Sequence, residues 1–92
     1  MTHKKHLALD GPFAGLWVRT ARALLRGGYK SREEVSAALK TCELRPSVSV
    51  PDYGRIADIE VMIWLLEHGD MTGQETLERI TYVFGSEAKY PR

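Results

Sequence analysis

The side chains in this sequence that could do chemistry are few and scattered. His3 and His6 have an H-x-x-H spacing that would seat a metal on a helix. Neither a third ligand nor a scaffold stands nearby, so residues 1–12 are expected to form a basic flexible arm. His68 falls where a helix should end, a place where histidine satisfies terminal carbonyls and complements the helix dipole. Cys42 is the single cysteine. It excludes an intramolecular disulfide, fits a reducing compartment, and reads as a small core residue because no histidine lies at helical spacing from it. Asp58, Glu60 and Glu67 fall on one polar strip and are expected to be solvated. There is no C-x-x-C, no H-E-x-x-H and no glycine-rich phosphate loop. A self-sufficient catalyst is therefore not expected.

What could position such residues is one small domain. The chain has 92 residues, 43% of them hydrophobic and 27% charged, as in a folded globular protein. A domain of this size buries only about 60–65% of its unfolded surface, so a partner chain is a reasonable expectation. The formal charge is +1, which offers no strong attraction to nucleic acid or to a membrane surface. No apolar run approaches the length of a membrane span, residues 1–10 lack a signal-peptide core, and a cytoplasmic location is expected.

The periodicity predicts four helices in two αα-hairpins joined by a proline-containing extended loop, an all-α domain over residues 13–85 with a tail at 86–92. The first helix is expected from Phe13 to Arg26, with Phe13, Trp17, Ala21, Leu24 and Leu25 on its buried face. Arg19, Arg22 and Arg26 share another face, read as solvated or as meeting a partner's acidic surface in preference to a nucleic acid. Gly27-Gly28 ends this helix, and Ser31 with Glu34 forms a capping box for the second. Val35, Ala38, Leu39 and Cys42 line the second helix. Residues 43–51 carry Pro46 and Pro51, which argues against a central strand at Val48-Ser49-Val50.

Asp52 is the expected N-cap of a third helix ending near His68, with Ile56, Ile59, Ile63 and Leu66 as its main stripe. Met62, Trp64 and Leu65 make it apolar almost all round, which means burial on both sides or contact with another chain. Thr72 and Glu75 then cap a fourth helix, with Leu77, Ile80, Val83 and Phe84 as its apolar side and Gly85 as its end. The segments from Leu24 and from Leu65 share the pattern L-L-x-x-G-x-x-[S/T]-x-x-E, 41 residues apart. Each is a helix, a glycine corner and a capped helix. The same grammar occurs in DNA-binding helix-turn-helix motifs, but the second helices carry few base-reading side chains.

Two blocks, taken together, resemble the N-terminal part of nitrile hydratase β subunits and their β-like accessory proteins. The first is Phe13-Ala14-Gly15-Leu16-Trp17-Val18-Arg19-Thr20-Ala21-Arg22-Ala23-Leu24. It is similar to the family's F-x-x-x-W-x-x-[RQ]-x-x-A-L block, with Thr20 standing at the [RQ] position. The second runs from Pro51 to Ile80 and carries Tyr53, Trp64, Leu65, Leu66, Gly69, Thr72 and Glu75 in the family's order.

The resemblance implies a small subunit without activity of its own, in a complex that hydrates nitriles to amides. Its partner would be a metal-bearing subunit holding cobalt or iron in a C-x-x-C-S-C claw, with no metal on this chain. It also implies that an arginine supports the claw, a role for which Arg45 is the candidate, and that Tyr53, Trp64, Phe13 and Trp17 lie at the substrate pocket or interface. Full β subunits continue into a β-barrel half, which a split subunit would carry on a separate chain. The alternative is a stand-alone accessory protein that delivers the metal or assists claw oxidation. A small helical DNA-binding or regulatory protein is the third reading.

Overall fold

The computed structural model describes residues 7–46 and 49–89, with side chains as far as residue 83. His3, His6, Val48 and residues 90–92 lie outside the described residues, as does the side chain of Phe84. Among the described residues there are four helices, α1 (Val18–Arg26), α2 (Arg32–Lys40), α3 (Arg55–His68) and α4 (Gly73–Lys89), and no strand. The all-α class is as expected. Helix α4 packs against both α2 and α3.

Helix α1 starts at Val18, five residues later than the periodicity suggests. The reason is tertiary. Gly15 takes a φ of +98°, open to glycine and strained for other residues. The backbone around it pairs with the segment before it: Ala8 N–H donates to Leu16 O at 2.7 Å, and Gly15 N–H to Ala8 O at 2.9 Å. Leu7 and Trp17 form an isolated bridge. Residues 7–17 are thus a folded turn laid over Trp64, whose indole N–H donates to Ala14 O at 3.0 Å. The Phe13 ring lies 6.1 Å from the Trp64 ring, tilted by 60°. A Cβ at Gly15 would come within 3.4 Å of the Trp64 indole nitrogen.

Helix α1 also lacks a cap of its own. Glu60 on α3 supplies one, accepting from the Trp17 amide and from the Thr20 hydroxyl, each at 2.6 Å. A carboxylate at a helix N-terminus is favoured by orphan amides and by the dipole.

The two corners repeat one another bond for bond. Tyr29 N–H donates to Leu24 O, as Asp70 N–H does to Leu65 O, and Gly28 N–H donates to Leu25 O, as Gly69 N–H does to Leu66 O. Gly28 and Gly69 both have positive φ, +95° and +80°, as a Schellman-type ending requires. Each following helix then opens on a capping box. Ser31 Oγ accepts from Glu34 N–H and Thr72 Oγ1 from Glu75 N–H, while the glutamates accept in return from Lys30 and Thr72 amides. The corners touch through an Arg32–Asp70 ion pair, and Ser36 Oγ donates to Asp70 O at 3.3 Å.

Helices α3 and α4 are rotated from the orientation their aliphatic stripes suggest. In α3 the buried residues are Asp58, Val61, Met62, Trp64 and Leu65. The expected main stripe faces outward: Ile56 is 84% exposed, Ile63 50%, Ile59 45% and Leu66 36%. In α4, Leu77 and Ile80 are exposed while Arg79 is buried. Asp52 is not the cap of α3, since Gly54 precedes the helix and makes no side-chain cap bond. Gly85 does not end α4, which continues to Lys89. Within the connector, Ser49 Oγ accepts from Arg45 N–H at 2.9 Å and donates to Arg45 O at 3.1 Å, which ties these two residues together.

Candidate functional site

The expectation that Asp58 is solvated fails. Asp58 is fully buried at the centre of the most connected polar cluster among the described residues. Tyr53 Oη donates to its Oδ1 at 2.7 Å. Arg79 donates to both carboxylate oxygens, Nη2 to Oδ1 at 2.8 Å and Nε to Oδ2 at 3.3 Å. The guanidinium also reaches Leu39 O at 2.7 Å and Leu44 O at 2.5 Å. Leu39 lies in the last turn of α2, where its carbonyl also accepts from Cys42 N–H at 3.1 Å, and Arg79 adds a second donor to it. The planar fork suits this bridging role, since five donors can meet a carboxylate and two carbonyls together. One side chain thereby joins α2, the connector, α3 and α4.

Burial first, and then the Asp58 charge and hydrogen bond, push the Tyr53 phenol well above its ordinary value of 10.0. The phenol stays protonated and donates. The cluster is sealed from solvent and its polar atoms are satisfied; among the described residues no buried side-chain nitrogen or oxygen lacks a partner. It is an internal lock.

The surface has a different character. The four aliphatics of α3 form a stripe at positions 56, 59, 63 and 66, three and four residues apart, on one side of the helix. Ile56 at its N-terminal end also lines an open groove of about 820 Å³, together with Trp17, Arg19, Thr20 and Arg55. Trp17 is 46% exposed there. An adjoining groove of about 530 Å³ runs along α1 past Arg22 and Arg26.

The residues singled out from the sequence divide between interior and surface. Phe13, Tyr53 and Trp64 are buried within this chain. Trp64 is bracketed by Phe13 and by His68, whose ring stands edge-on at 5.5 Å. His68 Nδ1 lies 2.9 Å from Trp64 O, a contact within its own helix. Trp17 is on the surface, in the groove. Arg45 is exposed, and its Nε donates to Cys42 O at 3.2 Å. Cys42 is half-buried, with a φ of +63°. The structure does not bring Arg45 beside Tyr53 or Trp64 through any hydrogen bond of its side chain among those described.

Arg79 and Glu60 were missed as organising residues. Both sit among surface-type charges in the sequence, and no local spacing separates a buried arginine from a solvated one. Among the described residues, no group of three or more histidine, cysteine or acidic side chains could hold a metal ion, and no helix is long and apolar enough to cross a membrane.

The fold and site thus define a small helical domain with a sealed polar lock and an apolar stripe on its surface. Comparison with protein-family models, characterised proteins and solved structures finds no match.

Proposed function

We propose that this chain is a docking subunit of a nitrile hydratase-type complex, equivalent to the N-terminal part of the β subunit, and that α3 is the face it presents to its partner. The observation that carries the docking role is the exposed stripe of Ile56, Ile59, Ile63 and Leu66. Four large aliphatics side by side on one helix face lose favourable burial in the isolated chain and recover it against another protein. The enzyme class rests on the Phe13-to-Leu24 and Pro51-to-Ile80 blocks. On this reading cobalt or iron belongs to the partner, and this chain contributes shape and stability. The buried Tyr53, Phe13 and Trp64 act by fixing the geometry of α1 and α3, and the exposed Arg45 is the candidate arginine for a claw.

Co-expression with a subunit bearing a C-x-x-C-S-C sequence tests the proposal. A stoichiometric complex that converts a nitrile to its amide is expected, and Ile59→Glu with Ile63→Glu should prevent assembly while preserving helicity. Arg45→Ala should reduce turnover in an intact complex. A chain that binds transiently and is missing from the mature enzyme would mark an accessory maturation protein instead. Absence of any complex would overturn both readings.

A further inference from the structure

We propose that the arginine-bordered groove running along α1 to the N-terminal end of α3 is a docking site for an acidic amphipathic segment of a partner protein. The groove shares Ile56 with the α3 stripe, and its other lining residues lie outside that stripe. The two adjoining hollows, of about 820 and 530 Å³, share Trp17, Arg19 and Asp52 and so form one continuous surface. Although the whole chain carries a formal charge of only +1, Arg19, Arg22, Arg26 and Arg55 all border this surface. The Arg19 and Arg26 side chains are 80% and 53% exposed.

Two acidic residues line the same surface, and both are engaged. Asp52 lies 2.9 Å from Arg26 and 4.0 Å from Arg19, and Glu60 is used by the Trp17 amide and the Thr20 hydroxyl. Arg19, Arg22 and Arg26 outnumber these two carboxylates, so the surface is positive on the α1 side. Guanidinium groups match carboxylates with paired donors. Between them, Trp17 and the 84% exposed Ile56 offer a place for apolar side chains. A segment with carboxylates on one face and leucine-like residues on the other satisfies both features. A polyphosphate chain fits less well, because the exposed Ile56 gives a nucleotide nothing to bond.

The test uses the whole chain and tryptophan-free helical peptides with leucines on one face. One peptide carries glutamates on the other face, a second carries lysines there, and a single-stranded oligonucleotide is the third probe. The glutamate peptide is expected to bind, to shift the emission of Trp17, and to weaken as salt rises. Arg19→Glu with Arg22→Glu should weaken it by about tenfold or more. Both positions are exposed, so these variants keep the fold. Trp17→Phe should abolish the emission change and leave the signal of buried Trp64 in place. Equal binding of the lysine peptide, tighter binding of the oligonucleotide, or no binding of the glutamate peptide would each overturn the proposal. None of these outcomes bears on assembly through the α3 stripe, which co-expression reads separately.

Discussion

Tyr53, Asp58 and Arg79 carry more of this domain's order than their number suggests. Arg79 is 4% exposed and Asp58 fully buried, so removing either partner strands a charge in the interior. Asp58→Ala is expected to cost about 3–5 kcal/mol, a large part of the roughly 5–15 kcal/mol typical of a whole domain. Urea unfolding monitored by circular dichroism would measure it. Replacing Asp58 and Arg79 together by apolar residues of similar volume should recover part of the loss, because no unpaired charge remains although Leu44 O and the Tyr53 hydroxyl lose these partners. Tyr53→Phe should cost about 1 kcal/mol at neutral pH, since Arg79 still neutralises the carboxylate. The phenol's folded pKa is raised, so its contribution is fully present below its unfolded value of 10.0. It is lost progressively as the pH climbs above that value and the unfolded chain alone ionises. Wild type should therefore lose stability in alkali more steeply than Tyr53→Phe.

Among the elements, the repeated corner is the most local piece of structure. Its glycine, its Ser or Thr cap and its returning glutamate are satisfied within a dozen residues, so their effects should be modest and separable. Ser31→Ala is expected to cost about 1 kcal/mol by exposing an α2 amide, and Gly69→Ala about 1–2 kcal/mol because φ is positive there. Thermal melts would show both. Glu75 has a lowered pKa, chiefly through its hydrogen bond with the Thr72 amide, with Lys40 also nearby. Its contribution is present above the ordinary carboxylate value and fades as pH falls through the lowered one. Glu75→Gln should accordingly flatten the acid limb of the stability profile. Helix α1 is the opposite kind of element. Its first turn is capped by Glu60 from α3, so it depends on a residue 43 positions away.

At the scale of the molecule, the orientation of α3 and α4 separates stability from assembly. Trp64 is 5% exposed and bonded to the N-terminal turn, so Trp64→Ala should cost about 3–5 kcal/mol in the chain by itself. Ile63→Glu, on the outward stripe, should change stability by no more than about 0.5 kcal/mol. A comparable loss from the two substitutions in the isolated chain would show that the stripe is buried, and would remove the basis for docking through it.

The sequence by itself determined the parts governed by neighbours along the chain. The all-α class, the start of α2, the glycine corners and both capping boxes follow from 3.6-residue periodicity, positive-φ glycines and i-to-i+3 hydrogen bonds, all local physics. Tertiary structure decided the rest. Helix α3 is apolar nearly all round, so its pattern could not say which side faces inward. The outcome was set by where Asp58 could meet Arg79 and Tyr53, and where Trp64 could cover residues 13–16. In the same way Arg79, rather than Leu77 or Ile80, faces the core, because one guanidinium can satisfy a buried carboxylate and two carbonyls at once. Periodicity measures how greasy a face is. Which greasy face is buried depends on the polar partners that only the folded chain brings together.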